Sequence, residues 1–246
     1  MNDNINVKRP SISIVTATCN AANHLPRLID SLRGQTDKDF EWVVADGASE
    51  DGTLDMLKAV TDLNVVISSQ ADSGIYDALN RAIKASSGAY YLVSGADDIL
   101  YPDAIASFRK IATEQQPDII NAKVMADGRP GAARRPWPWL YGGFAYVNSH
   151  AVGVLIKKSL HQQFGYYSLS YPLVADQLFL KKAGDAGVKT VSSDFFAGEF
   201  GMHGSSGKDV LGVITESFRV QLATGENKLV QTALFLVRLI KNFRKF

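Results

Sequence analysis

Five short apolar runs alternate with stretches of helical periodicity through the first half of the chain, and this alternation limits the fold more than any other feature. The runs are 11–17, 40–45, 65–68, 90–93 and 119–124, rich in β-branched and aromatic residues and so read as buried strands. Between them Leu25, Leu28, Ile29 and Leu32 recur at helical spacing, with Pro26 early and Gly34 behind. Leu54, Leu57 and Val60 mark a second helix. Ile75, Ala78, Leu79, Ala82 and Ile83 mark a third, closed by Gly88. Ile105, Phe108 and Ile111 mark a fourth. Strands alternating with helices of roughly ten residues predict an α/β fold with a doubly wound, mainly parallel, right-handed sheet flanked by helices.

The 246 residues allow one large α/β domain or two small ones. Net charge is +1, so no basic field argues for a nucleic-acid partner. The single cysteine, Cys19, excludes a disulfide framework and fits a reducing compartment. Its apolar surroundings make it an expected small core residue rather than a nucleophile. Residues 1–10 lack the apolar stretch of a signal peptide, and no run of about 18 apolar residues reads as a membrane span. The expectation is a cytoplasmic protein.

Polar residues gather where the strands stop. Thr16, Thr18 and Asn20 lie at the end of the first run, Asp46 and Ser49 after the second, Asp72, Ser73 and Gly74 after the third, and Asp97 and Asp98 after the fourth. A parallel sheet brings such tips to one edge, where open α/β folds bind ligands. The acid pair follows the small turn Ser94-Gly95-Ala96 and offers hard oxygen ligands for Mg²⁺ or Mn²⁺. The same two acids also suit a turn and helix cap ahead of Pro102. Neither a G-x-G-x-x-G after the first strand nor a G-x-x-x-x-G-K-[ST] occurs, which argues against a Rossmann dinucleotide site and a P-loop. From 127 to 143 the alternation breaks into a long loop rich in Gly, Pro and aromatics. After it 151–156 and 188–192 still read as strands, so the second half is expected to continue the same sheet.

The motifs S-I-V-T-A-T-C-N from Ser13, V-V-A-D-G-A-S-E-D-G-T from Val43, D-S-G-I-Y-D-A-L-N from Asp72 and G-A-D-D from Gly95 resemble, in this order, those of family 2 glycosyltransferases of GT-A fold. The likeness is close from about 11 to 105 and looser to about 207. It implies a nucleotide-diphospho-sugar held at the first half of the sheet, with Asp46 at the base and Thr16 lining the nucleotide pocket. It also implies that the region of Asp97 and Asp98 holds ribose, diphosphate and a divalent cation. Asp98 is the first choice of metal ligand, with Asp97 beside it on ribose or metal. Transfer would be a single displacement with inversion. The chain departs from the family pattern at Ala17, where a proline is common, at Gly95, where many members carry an acid, and at Ala175, where a Glu is usual.

Further candidates lie in the second half. Asp176 follows a Tyr-Pro turn and opens an apolar helix, unlike the other acids after residue 110, and so is the expected general base. His203, in a Gly-rich loop, is a candidate metal or diphosphate ligand or an exposed loop histidine. His150 is a candidate acceptor contact or a structural histidine. Arg134, Arg135, Trp137 and Trp139 suit a grip on phosphate or stacking on a sugar, or a solvated loop. Residues 208–246 form an expected C-terminal helical tail after a transferase domain of 1–207, itself split into a nucleotide-sugar half, about 11–125, and an acceptor half, about 126–207. From Lys228 onward the tail has five basic residues, no acid and an apolar face through Leu229, Ala233, Leu236, Ile240 and Phe243. That pattern suits a membrane surface, peripheral on the inner face, or packing on protein.

The resemblance therefore implies an inverting, metal-dependent glycosyltransferase acting on a saccharide or lipid-linked saccharide acceptor in surface polysaccharide synthesis. A non-catalytic sugar-nucleotide-binding scaffold and a sugar nucleotidyltransferase are the alternatives. The second would need a Gly-rich, basic triphosphate loop after the first strand, and none is present.

Overall fold

The computed structural model describes residues 11–131, 135–147, 149–201 and 209–245. In chain order it contains β1 (Ile12–Thr18), α1 (Leu25–Arg33), β2 (Phe40–Asp46), α2 (Thr53–Lys58), β3 (Val65–Ser69), α3 (Ile75–Ala85), β4 (Tyr90–Val93), β5 (Ile99–Leu100), α4 (Ala104–Gln115), β6 (Ile119–Ala126) and β7 (Arg129–Pro130). There follow α5 (Pro138–Tyr141), β8 (Val154–Lys157), α6 (Leu160–Phe164), α7 (Ala175–Asp185), β9 (Thr190–Phe200), α8 (Val210–Ala223) and α9 (Lys228–Asn242).

One sheet runs in the order β3-β2-β1-β4-β8-β6-β9-β5, with β7 paired to β6. The first four strands are parallel neighbours. Ile12 lies beside Phe40 of β2 and Tyr90 of β4, and Thr18 lies beside Asp46. Their side chains alternate between two cores. Ile12, Ile14, Trp42, Val44 and Leu92 pack with α1 and α4, while Val15, Val43, Ala45 and Tyr91 pack with α3 and α7. Burial on both faces is why these strands read as unbroken apolar runs. Truncating a fully buried member such as Leu28 to Ala should cost about 2–5 kcal/mol.

The sheet is mixed beyond β4. β8 enters antiparallel to both β4 and β6. Among the described residues the connection from β6 to β8 holds a short hairpin, α5 and single 3₁₀ turns. Without a crossover helix the chain reverses beside β6 instead of passing over the sheet. After α6 and α7 the chain re-enters the sheet as β9, parallel to β6 and so antiparallel to β8. The run 151–156 is a strand only from Val154, since Ala151–Gly153 is a 3₁₀ turn. Cys19 is exposed, against expectation, because it stands one residue past the end of β1 and escapes the strand alternation.

The tail is two helices. α8 packs on α7 through Val174, Leu178 and Val220, and α9 stacks Phe235 on Phe218 of α8 at 4.8 Å. Among the described residues no helix is long and apolar enough to cross a membrane.

Candidate active site

The parallel strands deliver their polar tips to one edge, but the register turns several of them inward. Asp46 closes β2, with Thr18 of β1 and Ser69 of β3 as its strand neighbours. Thr18 donates its hydroxyl to Asp46 Oδ1 at 3.0 Å, and Ser69 donates to Oδ2 at 2.7 Å. Ser49 adds its hydroxyl to Oδ1 at 2.6 Å and its backbone N–H to Oδ2 at 3.0 Å. Burial pushes the Asp46 carboxyl up, but the hydrogen bonds from Ser49, Ser69 and Thr18 outweigh it and hold the group below its ordinary value. The side chain is fully enclosed. Asp46, expected at the base, is in this structure a hub that joins three strand ends. Thr18 belongs to that hub. Thr16 is also fully buried and accepts the Trp42 indole N–H at 2.9 Å, so it does not line an open pocket.

Ser49 and Asn20 lock two loops together. Asn20 N donates to Ser49 Oγ at 2.8 Å, and Glu50 N donates to Asn20 Oδ1 at 3.0 Å. Ala21 N and Ala22 N donate to Thr53 Oγ1 and Asp51 Oδ2. The motif D-G-A-S-E-D-G-T thus builds a rigid floor from its own side chains. Asn20 remains exposed on that floor.

Asp72 reaches over the floor. A Cβ placed at Gly47 would lie 2.6 Å from Asp72 Oδ2 and 3.4 Å from the Cys19 Cβ, so the missing side chain at 47 is what admits this carboxylate. Asp72 Oδ1 accepts from Gly74 N at 3.0 Å, and Ser73 N donates to Asp77 Oδ2 at the start of α3. Arg81, which the sequence reading passed over, extends from α3 to the carbonyl of Asp46 at 2.9 Å. Its Nε and Nη1 are buried with no partner among the described residues.

The acid pair divides by direction. Asp98 is 1% exposed, and its two oxygens accept from Gly95 N at 2.7 Å and Gly201 N at 2.8 Å. Burial raises its pKa to about 6, against the pull of those N–H groups and with a further push from Asp97. Asp97 is only partly buried and lies against Gly201 at the end of β9, where any Cβ would overlap its carboxylate. Gly201→Ala should therefore displace Asp97, lowering kcat by about tenfold or more and costing about 1–3 kcal/mol of stability. Steady-state kinetics beside a thermal melt checks both.

Asp176 occupies the first turn of α7. Tyr76 of α3 donates its hydroxyl to Asp176 Oδ1 at 2.6 Å, and Gln177 Nε2 lies 3.4 Å from Oδ2. Burial raises the Asp176 pKa, with the Tyr76 hydrogen bond as the main opposing influence. Leu173 and Val174, just before it, donate backbone N–H groups to Glu216 of α8 at 2.9 and 3.1 Å. Tyr76 and Glu216 are positioning residues that strand-end logic did not find. Their signal is a polar group on an otherwise buried helix face. His150 stacks on Phe200 at 3.9 Å, and burial lowers its pKa while the Asp176 charge pulls the other way. Phe200 adjoins Gly201, so β9 links His150 and Asp176 to the Asp97 loop. Trp137 is exposed ahead of α5, and Arg135 lies over Tyr141 at 5.4 Å. His203 and Arg134 lie outside the described residues.

Residues 13–165 match the family model described as Glycosyl transferase family 2. A PGL/p-HBAD biosynthesis glycosyltransferase of Mycobacterium bovis (strain BCG / Pasteur 1173P2) is 31% identical over 179 residues, covering 68% of this chain and 67% of that protein. The crystal structure of S. aureus TarS 1-349 in complex with UDP-GlcNAc is similar with a TM-score of 0.68 at 20% identity, over 95% of this chain and 73% of that one. The mannosyltransferase PcManGT from Pyrobaculum calidifontis, in complex with GDP-Man and Mn²⁺, is similar with a TM-score of 0.69 at 16% identity, over 96% and 76%. The mixed sheet, its flanking helices and these motifs have one reading: the chain belongs to glycosyl transferase family 2 and has the GT-A fold.

Proposed function

We propose that this chain is an inverting glycosyltransferase. It moves a sugar from a nucleotide-diphospho-sugar to a saccharide or lipid-linked saccharide acceptor, in the synthesis of surface polysaccharide or glycolipid. The observation that carries the reading is the connection of two differently placed carboxylates. Asp97 lies partly buried beside Gly201 at the end of β9, and Asp176, also partly buried, is held by the Tyr76 hydroxyl with a raised pKa. A carboxylate whose pKa is raised by burial suits the task of taking a proton from an acceptor hydroxyl. The donor class is supported by the solved relatives, which hold UDP-GlcNAc in one case and GDP-Man in the other. The pathway class is supported by the name of the mycobacterial relative.

In this reading Asp72, over Gly47, takes the nucleobase, while Asn20 and Gly74 border the nucleotide. Asp97 faces the ribose and diphosphate. His150 and Trp137 stand on the acceptor side. The acceptor hydroxyl attacks the anomeric carbon as the bond to the diphosphate oxygen breaks. Its proton passes to an Asp176 oxygen, and the electron pair leaves with the nucleoside diphosphate. One displacement inverts the centre. Tyr76 keeps the Asp176 carboxylate oriented and ionised until then.

The residues present fit Mg²⁺ or Mn²⁺. Among the described residues no three of His, Cys, Asp and Glu converge, but these ions often bind through one or two carboxylates with phosphate and water completing the shell. Asp97, partly exposed where Asp98 is buried, can serve so. A cation held there supplies positive charge to the departing diphosphate. The exposed, unpaired Cys19 suits a reducing, cytoplasmic location.

A panel of nucleotide sugars with Mn²⁺ present, read as release of free nucleoside diphosphate with and without saccharide acceptors, tests the proposal. Turnover of one donor supports it. Pyrophosphate-dependent exchange favours a nucleotidyltransferase, and donor binding without turnover on any acceptor favours a scaffold.

A further inference from the structure

Helix α9 is mounted with its polar side inward. Gln231 is almost fully buried and donates its amide to the Trp139 carbonyl at 2.6 Å. One helical step pair further on, Arg238 donates to the Leu140 carbonyl at 2.5 Å. Phe235, on the same side, stacks on Phe218. These three positions fall within one arc of the helix, and they fix α9 on α5 and α8. The opposite arc is apolar and uncovered. Leu229 is 82% exposed, Ile240 77% and Phe243 75%, with Leu236 and Val237 also open. An ordinary surface helix would bury those side chains against its own domain. Here the polar contacts hold the helix so that they cannot turn in.

The borders of that face are basic. Lys228 lies on one flank, and Lys241, Arg244 and Lys245 on the other, all exposed. No acid occurs from 228 to 246. Apolar side chains in the middle and cations at the rim match the arrangement of interfacial helices on bilayers.

We propose that the outward face of α9 docks on an anionic lipid surface. A second copy of this chain fits the face less well. Two such faces packed together would bring their lysine and arginine rims into contact with no acid on either α9 to answer them. An anionic headgroup layer answers the rim, and the acyl boundary takes Leu229, Leu236, Ile240 and Phe243. At 15 residues α9 lies along such a surface and does not span it. The proposal stands apart from the transfer chemistry, since no residue of this face belongs to the active site.

The test is co-sedimentation of the full chain with vesicles of equal parts phosphatidylglycerol and phosphatidylcholine, beside vesicles of phosphatidylcholine alone. Binding to the anionic vesicles is expected, weakening with salt. Lys241→Glu with Lys245→Glu should lower the affinity roughly fivefold or more per position. Leu236→Gln with Ile240→Gln should lower it by at least about tenfold. All four side chains are exposed, so melting temperatures and donor turnover should stay at native values. The proposal is overturned if the native chain ignores anionic vesicles, or if both double variants bind like the native chain. It is also overturned if sedimentation velocity shows a dimer that the Gln pair dissociates and that excludes vesicles.

Discussion

Asp176→Asn is expected to lower the rate of sugar transfer by on the order of 10²- to 10⁴-fold while leaving donor affinity near native. The amide keeps the shape of the carboxylate and can still accept the Tyr76 hydroxyl, so α7 should stay in place. What it loses is the capacity to take a proton. Burial raises the Asp176 pKa, and the ionised form is the active one. The rate of the native enzyme should therefore fall as pH drops through a value above the usual carboxylate range, and the variant should lack that limb. Tyr76→Phe removes a hydrogen bond that favours the ionised form, so it should move the limb to still higher pH without abolishing transfer. A purely structural role for Tyr76 would change stability and leave the limb where it was. Native-rate transfer by the Asn variant would leave the base to be found elsewhere.

The first half of the fold was legible because each element satisfies its own local rule. Residues 90–93 are buried on both faces, so the apolar run and the strand coincide. Leu25, Leu28, Ile29 and Leu32 are the buried face of α1 and were spaced accordingly. Asp176 was legible as the opening of an apolar helix, since a helix start carries its own signal. The inward turn of Thr16, Thr18 and Asp46 was not. Chain order places a polar residue at a strand end, but only strand register decides that Thr18, Ser69 and Ser49 meet one carboxylate. The direction of β8 was hidden for a similar reason, because a four-residue buried strand reads the same both ways. The periodicity of α9 gave its apolar face correctly. Nothing local indicated that Gln231 and Arg238 would take the inner position.

Asp97→Asn and Asp98→Asn are expected to fail in different ways. Asp97 is the more exposed of the two acids, so its Asn variant should lose transfer by on the order of 10²- to 10³-fold. Its donor affinity should also stop responding to Mn²⁺, matching the native enzyme in excess chelator. Calorimetric titration of the donor with and without Mn²⁺ measures this directly, and the melting temperature should barely change. Asp98 faces inward, and its effect should appear in the pH dependence of stability. Its folded pKa is about 6, above the ordinary 3.8. Between those values the folded chain binds more protons than the unfolded chain, so stability falls as pH rises. The contribution is fully present below pH 4 and lost by the time pH passes 6. Two units correspond to about 3 kcal/mol. Asp98→Asn resembles the protonated form and does not titrate. With metal chelated, the native chain should therefore lose about 3 kcal/mol relative to this variant between pH 4 and 7. Denaturant melts at a series of pH values give the difference. Asp98→Asn should meanwhile keep a Mn²⁺-dependent rate within about tenfold of native, because one backbone N–H is still held and the loop still presents Asp97. The reverse pattern, a metal response lost at 98 and kept at 97, would return the metal to Asp98.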